Sequence, residues 1–144
     1  MHTTKTALFD VLKAAFDTTG TQVAYADPGK LARAQAVWFG DTVEPDIEPV
    51  ALAPGRRKPS RVTAEVTLRL VATTVSGDPQ RAEAAVYALM GTAADAVAEF
   101  DPRTVPGLID VRPIRSSVAH GETGDGATAA LADLVLRVRA HALI

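Results

Sequence analysis

Residues 61–100, RVTAEVTLRLVATTVSGDPQRAEAAVYALMGTAADAVAEF, decide the fold. In the first part Val62, Ala64, Val66, Leu68, Leu70 and Ala72 alternate with Thr63, Glu65, Thr67, Arg69 and Thr73. Side chains two apart share a face of a strand, so this spacing predicts a long half-buried strand over 61–75. Asp78-Pro79 then supplies an N-cap and a proline at the first helical position, where its missing N–H is not needed. From there Ala82, Val86, Leu89, Ala93, Val97 and Phe100 recur at helical spacing, predicting a helix over 79–100. Ala85, Gly91, Ala94 and Ala96 keep that helix slim, so that a sheet or another helix can approach closely.

On the N-terminal side, Leu8, Phe9, Leu12, Ala15 and Phe16 form one stripe of a helix over 4–16, with Thr3 or Thr4 as its cap and Gly20 as its stop. Residues 21–26 read as a short strand ending at the turn Asp27-Pro28-Gly29, and residues 34–39 as a second. The segment 41–60 carries prolines at 45, 49, 54 and 59 and keeps no period, which predicts an extended loop or an irregular hairpin. On the C-terminal side, 108–119 is strand-like but interrupted by Pro113, which cannot donate to a ladder and so marks an edge or a bulge. The glycines at 121, 124 and 126 make a turn. A last strand follows over 130–144, with Ala132, Leu134, Leu136, Val138 and Ala140 on one face and Asp133, Arg137, Arg139 and His141 on the other. The expectation is a single domain over 1–144 of the α/β (α+β) class: a mostly antiparallel sheet packed on two helices, with a long proline-rich loop or hairpin arm.

The chain of 144 residues is 47% hydrophobic and 22% charged, enough apolar surface to fold around one core. Aromatic residues are only 5%, so that core is built of small aliphatic layers. Fifteen basic against seventeen acidic residues give a net charge of -2, which supplies no general attraction for nucleic acid or anionic membrane. The absence of cysteine excludes disulfides, thiolate nucleophiles and cysteine-ligated metals, and fits a reducing compartment. Neither a secretory leader nor a membrane span is expected from the sequence, which places the chain in the cytoplasm where it is made.

Candidate chemistry is sparse. His2, His120 and His141 share no ligand spacing, and no metal or cofactor is expected. His120 beside Glu122 and Asp125 is the one cluster from which a small enzyme could be argued, and it reads better as solvated turn residues. No serine sits in a nucleophile elbow, and the glycine turn matches no phosphate-binding loop. Glu99 and Asp101 are paired carboxylates at a helix end, where exposed charges are common. Trp38 and Phe39 are candidates for core or interface, with core expected for at least one. The segment 41–60 is more informative, because its charges are segregated. Asp41, Glu44, Asp46 and Glu48 fill its first half, whereas Arg56, Arg57, Lys58 and Arg61 follow the turn at Pro54-Gly55. These eight residues are the candidate subunit interface; alternatively, the two halves pair with each other inside one hairpin.

Three stretches together resemble the tail terminator (tail completion) proteins of long-tailed bacteriophages and related minor tail or head-to-tail joining proteins. They are Thr4-Lys5-Thr6-Ala7-Leu8-Phe9-Asp10-Val11-Leu12 with Val23-Ala24-Tyr25-Ala26-Asp27-Pro28-Gly29; the strand from Arg61 through Ser76-Gly77-Asp78-Pro79 into Arg81-Ala82-Glu83-Ala84; and Val105-Pro106-Gly107-Leu108-Ile109 through Gly124-Asp125-Gly126-Ala127 into the terminal strand. The resemblance implies a non-enzymatic virion protein of the tail or neck, made in the host cytoplasm. Its subunits, usually six, would form a homo-oligomeric ring that caps the tail tube, meets the head-tail connector or stopper protein, and lets DNA pass through its lumen without specific binding. The competing expectation is a small-ligand-binding or regulatory α/β oligomerisation domain, with its ligand between the sheet and the helix over 79–100.

Overall fold

The structure is a computed structural model that describes residues 1–31, 33–49, 59–74, 78–122 and 127–143. The elements follow in the order α1 (His2–Ala15), β1 (Gln22–Ala24), β2 (Gln35–Pro49), β3 (Pro59–Thr74), α2 (Pro79–Glu99), a 3-10 turn (Pro102–Thr104), β4 (Leu108–Glu122) and β5 (Thr128–Leu143). One five-stranded sheet has the order β1-β2-β3-β5-β4, with β1 parallel to β2 and every other pair antiparallel. Both helices lie on one face. This is the α+β arrangement expected from the strand-then-helix pattern of residues 61–100.

The central pair β3 and β5 is in continuous register from Pro59↔Leu143 to Thr74↔Thr128. Ala64, Val66, Leu68, Leu70 and Ala72 of β3 and Ala130, Ala132, Leu134, Leu136 and Val138 of β5 are buried beneath the helices. Leu8, Leu12 and Phe16 of α1 and Ala82, Val86, Leu89, Ala93 and Val97 of α2 close the core from above. Asp78 caps α2 by accepting hydrogen bonds from the N–H groups of Gln80 (3.0 Å) and Arg81 (3.4 Å), and Pro79 opens the helix. Removing such a cap costs about 1 kcal/mol. The expected threonine cap of α1 is not formed: the helix starts at His2, Met1 gives no side-chain cap, and Thr4 is buried inside the first turn. Extending the helix to His2 places Thr6 one turn along, where its hydroxyl donates to the His2 carbonyl. Gly20 and Gly29 adopt positive φ at the two stops, and the Gly29 N–H is held by the Asp27 carboxylate at 2.8 Å.

Of the two readings of 41–60, extended loop or irregular hairpin, the structure shows the hairpin as far as its residues are described. Residues 41–49 are not loop but the second half of β2, paired with β3 as far as Pro49↔Ser60. The prolines hid this strand because they break its period without ending its pairing. Pro45 lies within the register shift between Val43 and Asp46, Pro49 ends β2, and Pro59 begins β3. Each place is one where a missing ladder donor is tolerated. Pro113 obeys the same rule as expected: β4 is an edge strand, and its register shifts between Pro113 and Arg115.

Strand and helix differ in length, and this shapes the molecule. The 16 residues of β3 extend about 50 Å at the strand rise, whereas the 21 of α2 extend about 32 Å. On the helix-facing side the full burial of β3 starts only at Ala64, and Val62 with its partner Ala140 is only partly buried, so the first residues of β3 and their partners at the end of β5 extend past the part of the sheet that the helices cover.

Candidate functional site

The candidate interface residues divide between the two strands of the projecting β2-β3 ladder. Asp41, Glu44, Asp46 and Glu48 are on β2, and Arg61 is on β3. The register sets Glu48 opposite Arg61 and Asp46 opposite Thr63. Arg56, Arg57 and Lys58 lie outside the described residues. The acidic half of the segment is therefore a strand, and the hairpin arrangement weighed beside the loop is the one seen at its base. Gly40, at the start of this stretch, passes beneath the Arg69 side chain; a Cβ there would come within 2.8 Å of Arg69 Nε.

Beside this ladder, the face of the sheet opposite the helices is covered by ion pairs. Arg115 grips Glu65 of β3 with both terminal nitrogens, at 2.7 and 3.2 Å. Arg139 of β5 holds Asp110 of β4 in a two-pronged contact, with its Nε donating at 2.9 Å, and Arg112 approaches the same carboxylate at 3.5 Å. The Arg139 hydrogen bonds, reinforced by the positive charges of Arg139, Arg112 and Arg137, hold the Asp110 carboxyl below its ordinary range against a smaller opposing effect of burial. Glu65 is lowered in the same way by Arg115. Arg137 stands across from Glu65 and Arg112, and its buried Nε has no hydrogen-bond partner among the described residues. These pairs join β3, β5 and β4 from the open side, so the sheet edge carrying β4 is tied by charge as well as by its ladder.

A depressed carboxylate pKa contributes stability that is present above the unfolded value near 4 and is lost as pH falls through the folded value. Asp110→Asn removes that dependence. Thermal melts between about pH 7 and pH 3 should show a lower melting temperature than wild type at neutral pH and a shallower acid limb. Parallel acid limbs in the two proteins would contradict the role given to Asp110.

The remaining candidates resolve simply. His120 Nε2 lies 3.3 Å from Glu83 of α2. The side chain of Glu122 and the whole of Asp125 lie outside the described residues. Period two puts His120 on the helix-facing side with Val118, but only the packing of α2 across β4 reveals Glu83 as its neighbour. Phe39 is core, 3% exposed, while Trp38 lies on the opposite face, packed like Leu31 against the small cluster of Ala36, Val71 and Ala129. Glu99 and Asp101 are both exposed, and Asp101 is engaged by the Arg103 backbone and guanidinium. Among the described residues no three histidine or acidic side chains converge as metal ligands, and no helix is long and apolar enough to cross a membrane.

Sequence reasoning missed a groove of 630 Å³ between the helices. Val11, Ala14 and Ala15 of α1 and Ala96 and Phe100 at the end of α2 supply its apolar lining, with Asp95, Glu99 and Asp101 as its acidic lining and Thr92 and Thr104 beside them. The contact between sheet and α2, where a small ligand was the competing expectation, is filled by Val86, Leu89, Ala93 and Val97 against Leu68, Leu134 and Leu136. The one advance signal of the groove was the run of small residues on α2, which lets α1 approach along part of its length.

No family model and no curated protein matches the sequence. Among solved structures, a chain described as "Virion of native gene transfer agent (GTA) particle" has the same fold, with a TM-score of 0.53 at 19% identity, covering 96% of this chain and 94% of that one.

Proposed function

We propose that this chain is a structural, non-enzymatic subunit of a phage-type virion: a ring-forming tail terminator that caps the tail tube and joins it to the head connector. The observation that carries the reading is the fold likeness to a virion-particle chain over 96% of the length, with no large insertion or missing lobe on either side. The resemblance of three stretches of the sequence to tail terminators supports the same reading. The molecule also has what a closed ring requires, two chemically different patches on one subunit. One is the projecting β2-β3 ladder with its segregated charges, and the other is the acid-lined groove between the helices. Six copies are the expected number, the tail tube and connector or stopper the expected partners, and the tail or neck of the particle the expected location.

The role as a terminator is tested by producing particles without this chain. A cap that stops tube growth and offers the joining surface should leave tubes of uncontrolled length, unattached to heads, in electron micrographs. Particles with joined tails of normal length would reject it.

A further inference from the structure

The acid-lined groove is electrostatically unbalanced within one chain. Asp95 and Glu99 are exposed, one helical turn apart, and of like charge, a spacing that destabilises a helix. They also stand in the last two turns of α2, where the helix dipole is itself negative and where no basic residue is present. Asp101 adds a third carboxylate immediately after the helix. Arg103 engages Asp101 alone, and among the described residues no cation pairs with Asp95 or Glu99. The lining beside these charges is apolar, so the groove suits a segment that is apolar at one end and cationic at the other.

The chain contains one such segment. Residues 50–58 read VALAPGRRK, four small apolar residues followed, after Pro54-Gly55, by three consecutive cations. This segment joins β2 to β3 at the end of the ladder that projects past the helices. We propose that residues 50–58 of a second copy of this chain seat in the groove between α1 and α2, with Val50–Ala53 on Phe100 and Ala96 and with Arg56, Arg57 and Lys58 against Asp95 and Glu99. The contact joins a strand end of one subunit to the helical side of the next. It is therefore heterologous, and repeating it generates a ring when the rotation closes. The inference rests on the ring reading above and names the pair of surfaces that would make it.

The test uses the full chain. Asp95→Lys with Glu99→Lys should convert the assembled protein to monomer in size-exclusion chromatography with light scattering. Its melting temperature should stay level or rise, because lysines suit the end of a helix. Adding Arg56→Glu, Arg57→Glu and Lys58→Glu to the same chain should restore the oligomer. Because the chain has no cysteine, mixing Arg57→Cys protein with Glu99→Cys protein under oxidation should give a disulfide-linked pair of the two different chains. A wild-type oligomer indifferent to the Asp95 and Glu99 reversals, or an oligomer in which the mixed Arg57→Cys and Glu99→Cys chains form no disulfide with each other, would overturn the inference and leave the ring reading standing. A wild-type protein that stays monomeric at every concentration would overturn both.

Discussion

Leu136→Ala is expected to lower the unfolding free energy by about 3 kcal/mol, the middle of the range for emptying a leucine site in a rigid core. Leu136 is fully buried near the middle of β5, opposite Val66 of β3 on one side and Pro113 of β4 on the other. Every neighbour is fixed by a ladder or by a helix, so the site cannot collapse onto the space left behind. Domains of this kind have total stabilities of roughly 5–15 kcal/mol, so the loss is a large fraction. Urea unfolding is the measurement: the midpoint should fall while the slope stays unchanged. A loss under about 1 kcal/mol would mean that the layer beneath α2 is looser than the burial of Leu68, Leu134 and Leu136 indicates.

Gly107→Val should be nearly as damaging, for a different reason. Val105-Pro106-Gly107-Leu108 forms a turn in which the Leu108 N–H donates to the Val105 carbonyl at 3.1 Å, with Pro106 and Gly107 at its centre and Gly107 at φ 82°. That third position of a type II turn requires positive φ, and a β-branched residue there is strained. Space is also missing: a Cβ would lie 2.6 Å from the His141 carbonyl oxygen, a backbone atom that cannot swing aside. The Gly107 carbonyl meanwhile accepts the His141 N–H at 2.7 Å, so moving the turn breaks the first link between β4 and β5. The expected cost is about 3 kcal/mol, and amide exchange should be fastest at the Leu108 end of β4. Near wild-type stability in the valine variant would contradict the turn geometry.

The sequence was most legible where one period ran without interruption. The alternation from Val62 to Ala72, the helical spacing from Ala82 to Val97 and the Asp78-Pro79 start all appear at the expected places, and with them the α+β class. The second half of β2 was not legible, because Pro45 and two register shifts erase the alternation that the backbone ladder nevertheless maintains. In that segment pairing is enforced by β3, a neighbour some twenty residues away, and not by local pattern. The groove was invisible for a related reason. Glu99 and Asp101 read as ordinary charges at a helix end, and nothing in the sequence singles out Asp95, until α1 is laid beside them with Val11, Ala14 and Ala15. The ion pairs of the open sheet face were likewise visible only as polar positions of a strand; which arginine meets which carboxylate depends on the register between β3, β5 and β4. The charge split of this segment was legible in the sequence, and the structure places its acidic half on β2, paired with β3.

The proposed role requires this fold to join copies of itself into a ring. Negative-stain imaging of the purified protein tests it most directly. Closed rings of identical subunits, six in number and with a central opening, are the expected result. A field of compact single subunits, unchanged as concentration is raised, would contradict it.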